Sequence, residues 1–302
     1  MELPLVVGVD GSDSSLQAVD WAVDEAARLG LPLRLVYASL WERYEGARPS
    51  FSTDRPAREV MAQHIAASCA ERARLRNPEV KVSSEVLPDD AVSVLLHAAD
   101  TSFALVMGSR GRGELAGMLL GSVSLAVAAR AVCPVIVVRG EERNREGSFG
   151  RVVVGLGDST EVPAAVRFAF REAEARGCGL HVVRAWRHPA HEHADHPLIA
   201  DDAVGAHEER ASALLTDALR DATRDHPQVE VRRQAVEGPA HKVLLDACSE
   251  ADLVVVGARR RHGHVGLQLG RVAHALLHHA ACPVAVVPQW ADSPPAQGAP
   301  GR

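Results

Sequence analysis

The chain repeats itself. Val6-Val7-Gly8-Val9 recurs as Val153-Val154-Gly155-Leu156, Glu25-Ala26 as Glu172-Ala173, and Gly30 as Gly177, all at an offset of 147 residues. Farther along, the glycine closing LVMG (Gly108) recurs as Gly257, and Cys133–Val138 (CPVIVV) recurs as Cys282–Val287 (CPVAVV), both at an offset of 149. The two-residue change fits a loop insertion between the two sets. The 302 residues are therefore a tandem duplication of a unit of about 140 residues, and any fold for one half must serve the other. We place the units at residues 1–143 and 150–288, with the polar run Glu141–Gly150 as a linker. The last stretch, residues 289–302 (QWADSPPAQGAPGR), has the composition of a disordered tail.

Inside one unit, short apolar runs alternate with segments of helical period. Pro4–Val9 and Pro32–Ala38 read as strands, the first Val-rich as in a strand buried on both faces. Leu16–Leu29 is apolar at helical spacing and stops at Gly30. Residues 57–75 read as a helix, 80–86 as a strand, 89–99 as a helix, 105–107 as a strand, and 134–138 as the last strand. Between the second strand and second helix lies an irregular stretch holding Trp41, Tyr44 and Phe51. Alternation of this kind predicts an α/β fold with a parallel sheet and helices on both faces, so two tandem doubly wound domains.

The chemistry concentrates after the fourth strand. Gly108, Gly111 and Gly121-Ser122 spell G-x-x-G-(nine residues)-G-S, and a helix opens at Gly121-Ser122. A glycine-rich turn that leaves a strand and ends at a helix N-terminus suits an anion. Backbone N–H groups point outward, the helix dipole adds positive charge, and missing Cβ atoms admit a phosphate. Ligands of doubly wound sheets bind beyond the carboxyl ends of the strands. Asp10, at the end of the first strand, sits at that same edge and could equally organise a turn or cap the helix after it.

Together, the Asp10-ended first strand, Val106-Met107-Gly108, the glycine loop and the doubled Cys-Pro-Val strand resemble the universal stress protein family in its tandem form. The resemblance covers nearly the whole chain. It implies five parallel strands per domain in the order 3-2-1-4-5, and binding of ATP. It implies that Asp10 sits against the adenosine, that main chain near Val36, Ala38 and Met107 lines the adenine, and that Gly108, Gly111, Gly121 and Ser122 hold phosphates. Gly11, Arg110, Val123 and Ser124 complete the expected cofactor-binding set. It also implies pairing of last strands, either in a homodimer or, here, between the two halves of one chain.

The second half departs from this pattern. Its spacing survives from Gly257 to Gly270, but Arg260 replaces the middle glycine and Arg271 the serine. Gly157 stands where Asp10 stands, with Asp158 displaced by one position. Arginines in such a loop crowd a phosphate or attract one, so Asp158, Gly257, Arg260, Gly270 and Arg271 form a second, weaker candidate site.

Other chemistries fit less well. Gly111–Ala116 matches a loose dinucleotide fingerprint but begins past the strand end and lacks the acidic residue downstream. Lys81 and Lys242 are the only lysines and neither lies near a glycine loop, against a P-loop motor or kinase. The histidine-dense stretch 188–196 (HPAHEHADH) matches no closed metal site, and we assign no metal to it. No nucleophile–base arrangement appears, so no catalytic residue is assigned; Asp10 and Asp13 could hold Mg²⁺ beside ATP and leave slow hydrolysis open.

A net charge of −6 excludes a non-specific nucleic-acid binder. Five cysteines without framework spacing point to a reducing compartment. With no apolar run near the length of a membrane helix and no signal-peptide pattern, the cytoplasm is the expected location. The expected function is a nucleotide-responsive regulatory module in stress or dormancy, in which ATP orders the loop from Arg110 to Leu120 for an unknown protein partner. Its rivals are a weak Mg-dependent ATPase and an interaction scaffold with a vestigial site.

Overall fold

The computed structural model describes residues 2–39, 55–111, 120–157, 164–187, 200–260 and 269–290. The first half runs β1 (Leu5–Gly8), α1 (Asp13–Leu29), β2 (Leu33–Ala38), α2 (Arg55–Arg76), β3 (Val82–Leu87), α3 (Ala91–Ala99), β4 (Ala104–Gly108), α4 (Ser122–Arg130) and β5 (Val135–Val138). A short helix α5 (Glu142–Arg145) follows. The second half repeats the order as β6 (Arg151–Gly155), α6 (Ala164–Arg176), β7 (Gly179–Trp186), α7 (Ala200–Asp225), β8 (Val231–Glu237), α8 (Ala240–Ala247), β9 (Leu253–Arg260), α9 (Arg271–His279) and β10 (Val284–Trp290).

All ten strands form one sheet in the order β3-β2-β1-β4-β5-β10-β9-β6-β7-β8. Each half is parallel inside, with the strand order expected. The halves join where β5 meets β10 antiparallel, with Val137 opposite Val284, Ile136 opposite Ala285 and Val135 opposite Val286. Of the two pairings expected for the last strands, the one between the halves of a single chain is made. β5 also pairs with β4, and β10 with β9, so the edges that would recruit a second copy meet each other within one chain.

Side-chain alternation along the strands divides the core into two layers. Leu5 and Val7 face the layer covered by α1, α2, α6 and α7; Val6, Leu105 and Met107 face the layer under α3, α4, α8 and α9. Both layers run through the two halves without a break, because the central strands are buried on both faces.

Helix boundaries follow capping chemistry more closely than apolar period. α1 starts at Asp13, not Leu16, because the Ser12 Oγ accepts from the Ser15 N–H and fixes the first turn earlier. It ends at Gly30, whose φ of +68° lets its N–H turn back to the carbonyls of Ala26 and Ala27. α3 opens two residues later than its apolar pattern suggests, since Asp90 accepts from the N–H groups of Val92 and Ser93. The linker is partly helical. Asn144 of α5 is buried and its Nδ2 donates to the carbonyls of Cys248, Ser249 and Ala251, which holds the linker against the second half. β10 continues through Gln289 and Trp290, two residues whose composition places them in the tail; ladder pairing with Arg259 and Arg260 extends the strand. Among the described residues no helix is long and apolar enough to cross a membrane.

Candidate functional site

Beyond the carboxyl ends of β1 and β4, next to where strand order reverses, lies a cleft of about 430 Å³. Its first wall is the turn after β1. Gly11 takes a φ of +78°, open to glycine at little cost, and turns the chain from β1 into α1. The Asp10 carboxylate accepts from the Ser12 N–H at 2.9 Å and the Ser12 hydroxyl at 2.6 Å through Oδ1. Its Oδ2 faces Gly111, where a Cβ would stand only 2.9 Å away. So Asp10 does organise the turn, while the helix cap is Ser12 and one carboxylate oxygen remains directed at the glycine loop. Behind it, the buried Ser15 hydroxyl accepts from the N–H groups of Asp10 and Gly11 and donates to the Ser12 carbonyl.

The second wall is the glycine loop. Its two ends are drawn together by hydrogen bonds from the Gly121 N–H to the Ser109 carbonyl at 2.8 Å and from the Ser124 hydroxyl to the Gly108 carbonyl at 2.8 Å. The Arg110 N–H donates to the Ser14 hydroxyl at 3.1 Å, which fastens the loop to the start of α1. Gly121 is the N-cap of α4 and supplies no side chain to cap it. The first-turn N–H groups of α4, at Ser122, Val123 and Ser124, thus have no capping side chain where those residues line the cleft. The same cleft has an apolar slot lined by Val36, Ala38, Leu95 and Met107.

Of the expected cofactor-binding residues of the first half, all but Gly11 line the cleft, and Gly11 shapes its wall. Gly108 has a packing role as well. A Cβ there would stand 2.4 to 2.7 Å from Ser14, so the approach of β4 to α1 by itself requires glycine at this position. Gly121 differs: the nearest atoms to an added Cβ are at 3.7 Å, so nothing among the described residues demands glycine there. Sequence reasoning missed Gly8, Val9, Ser15, Ala91 and Leu95, which also line the cleft. A usable signal existed for one pair. Gly8 and Leu95 meet through the same contact as their repeats Gly155 and Leu244, since an added Cβ would stand 3.0 and 2.7 Å from the two leucines.

The second half arranges the matching positions differently. β9 does not turn out after Gly257 but continues to Arg260, and the Gln289 side chain fills the space over Gly257, 2.4 Å from where its Cβ would be. In place of Asp10 stands Gly157, whose carbonyl accepts from the Arg184 guanidinium at 2.7 Å. Gly270 caps α9 without a side-chain bond, and Arg271 is exposed at the first position of that helix. The Arg260 side chain, Asp158, Arg112, the aromatics of the 40–54 stretch and the histidines of 188–196 lie outside the described residues. Among the described residues no three His, Cys, Asp or Glu side chains are grouped to hold a metal.

The family model described as "Universal stress protein family" matches residues 3–139 and again residues 148–288. The chain belongs to the universal stress protein family. It is a tandem universal stress protein, with both halves carrying the family's domain. The universal stress protein Rv2005c of Mycobacterium tuberculosis is 32% identical, over 94% of this chain and 97% of that one. A second, Rv2623 of the same species, is 30% identical over 94% and 96%. A solved universal stress protein from Archaeoglobus fulgidus covers 94% of this chain and 98% of its own with a TM-score of 0.66; at 19% identity it shows the shared fold. A universal stress protein solved in complex with cAMP is 31% identical over 46% of this chain, with a TM-score of 0.37.

Proposed function

We propose that the first half binds ATP and that the protein is a nucleotide-responsive module acting in stress or dormancy responses within the cytoplasm. One observation carries this reading: an uncapped helix N-terminus and an aspartate oxygen, both beside Gly111, line the same cleft as the apolar Val36, Ala38, Leu95 and Met107. The α4 N–H groups and dipole suit phosphate oxygens. The slot between Val36, Ala38 and Met107 suits a flat base, and the Asp10 Oδ2 is an acceptor for ribose hydroxyls or a partner for a phosphate-bound Mg²⁺. An occupied cleft alters the surface around Arg110 and Gly121, which a partner protein can read. In this reading binding rather than turnover is the output.

One nucleotide per chain is expected. Where the first half offers Asp10 and an open edge, the second offers a carbonyl held by Arg184 and a strand covered by Gln289. The strand pair expected to join two copies is made inside the chain, so the working unit is a single chain.

Calorimetric titration of ATP into the wild type and Gly121→Val tests the reading. At Gly121 an added Cβ meets the described residues only at ordinary contact distance, and the valine enters the space beside the α4 N-terminus. The expected result is one site per chain, lost in the variant. Two sites in the wild type would revive the second half as a nucleotide site. No binding would leave the interaction-scaffold reading.

A further inference from the structure

The duplication brings two glutamates face to face. Glu25 of α1 and Glu172 of α6 are repeats of each other, and both side chains are wholly buried where the two helices meet over the β5–β10 seam. Both carboxyl groups accept from the same Arg176 Nη2, so they lie side by side. Two like charges so close and so buried repel each other, and one proton held between them relieves that repulsion. Around them the symmetry breaks. Arg176, in the last turn of α6, donates to Glu25 at 2.5 Å and lies 3.3 Å from Glu172, with its guanidinium 5.4 Å over the Trp21 ring. Arg28 of α1 reaches Glu25 alone, at 3.1 Å. The duplication repeats neither arginine, since Leu29 matches Arg176 and Ala175 matches Arg28.

Among the described residues, the elements packed around the pair present apolar side chains or charges paired elsewhere. The strands beneath present Ile136, Val138, Ala285 and Val287. The neighbouring acids of α1, Asp20 and Asp24, turn to α2 and pair with Arg72 and Arg76. His226, just beyond α7, pairs with Glu174. The thiol of Cys178, just after α6, is the next titratable group beyond Arg176. Within the pair, the Oε1 atom of each glutamate receives no N–H or hydroxyl donor. Two arginines serve Glu25 and one is shared with Glu172, so the proton rests on Glu172.

We propose that Glu25 and Glu172 form a proton-sharing latch that fastens the two halves, holding one proton between them and weakening when rising pH removes it. This device is built from the duplication and is independent of the nucleotide reading. Burial, and then the neighbouring Glu25 charge, push the Glu172 carboxyl well above its ordinary value of 4.5. Burial alone would push Glu25 up too, but Arg176, the hydrogen bond with Glu172 and Arg28 outweigh it and hold Glu25 below that value. Glu172 therefore contributes stability that is full below its unfolded pKa and is lost as pH rises through its folded pKa. Glu25 contributes stability present above its unfolded pKa and lost as pH falls through its folded one. The two together favour the closed seam at intermediate pH.

The test is the pH dependence of unfolding of the full chain without nucleotide. Over the range in which folded Glu172 keeps a proton that the unfolded chain releases, the unfolding constant rises about tenfold per pH unit from this group. In Glu172→Gln the amide donates permanently to Glu25, so this contribution vanishes. The expected result is a slope of log unfolding constant against pH that is smaller in the variant by about one proton over that range. Equal slopes would overturn the latch. Infrared spectroscopy of the wild type covers the case in which the variant fails to fold. A buried carboxylic C=O stretch that persists above the ordinary glutamate pKa of about 4.3 and bleaches as pH rises further supports the proposal, and its absence there sinks it.

Discussion

Gly108 of β4 and Ser14 of α1 approach so closely that a Cβ on Gly108 would lie 2.4 Å from the serine hydroxyl and 2.7 Å from its backbone. The same serine holds the Arg110 N–H. One contact thus sets both the packing of α1 on the sheet and the path of the glycine loop. Gly108→Ala is expected to destabilise the protein by about 1–3 kcal/mol, because backbone rather than a flexible side-chain end must move. Denaturant unfolding of this variant beside Gly121→Val checks it. Gly121→Val should change stability by no more than about 1 kcal/mol, the difference between glycine and a poor N-cap residue. Equal stability of Gly108→Ala and wild type would show that α1 is free to shift.

Asp10 has two oxygens with two tasks, and an isosteric amide separates them. In Asp10→Asn the side-chain oxygen still accepts from the Ser12 N–H and hydroxyl. Stability should stay within about 1 kcal/mol of wild type. Loss of the charge and of an acceptor at the Oδ2 position should weaken ATP binding about tenfold, equivalent to about 1.4 kcal/mol. Titration calorimetry reads the affinity and thermal unfolding reads the turn. Unchanged affinity would reduce Asp10 to a turn residue.

Asn144 is the fastening of the linker. One buried amide serves three carbonyls, at 3.3, 3.3 and 2.8 Å. Asn144→Ala leaves them without that donor and should cost about 1–3 kcal/mol, measured by urea unfolding. An effect below about 0.5 kcal/mol would mean that water replaces the amide without loss.

Separating the halves should expose what the seam now covers. Expressed as residues 1–143 and 150–288, each half would carry one bare apolar strand edge, β5 or β10, with its ladder groups unpaired. Bare edges recruit other strands. Light scattering should find each half as a self-associated species and the intact chain as a single copy. Separate halves that stay monomeric would show that the seam contributes little to the fold.

The legible parts of this protein are those written in neighbouring residues. The duplication, the strand–helix alternation, and the Gly108-to-Gly121 spacing all stand in the sequence, because apolar period and glycine's backbone freedom are local requirements. The family and its strand order followed from those motifs. The recurrence of Glu25 as Glu172 was equally visible, but as a mark of repetition and not as a contact. That contact exists only because β5 and β10 close antiparallel, which carries α1 and α6 of opposite halves against each other. The same holds for Ser15 and Leu95 in the cleft, for Gln289 over Gly257, and for the reason Gly108 must be glycine. Each depends on how segments distant in sequence close on one another, and packing distances of a few ångströms between them are set by the assembled sheet, not by any stretch of residues read alone.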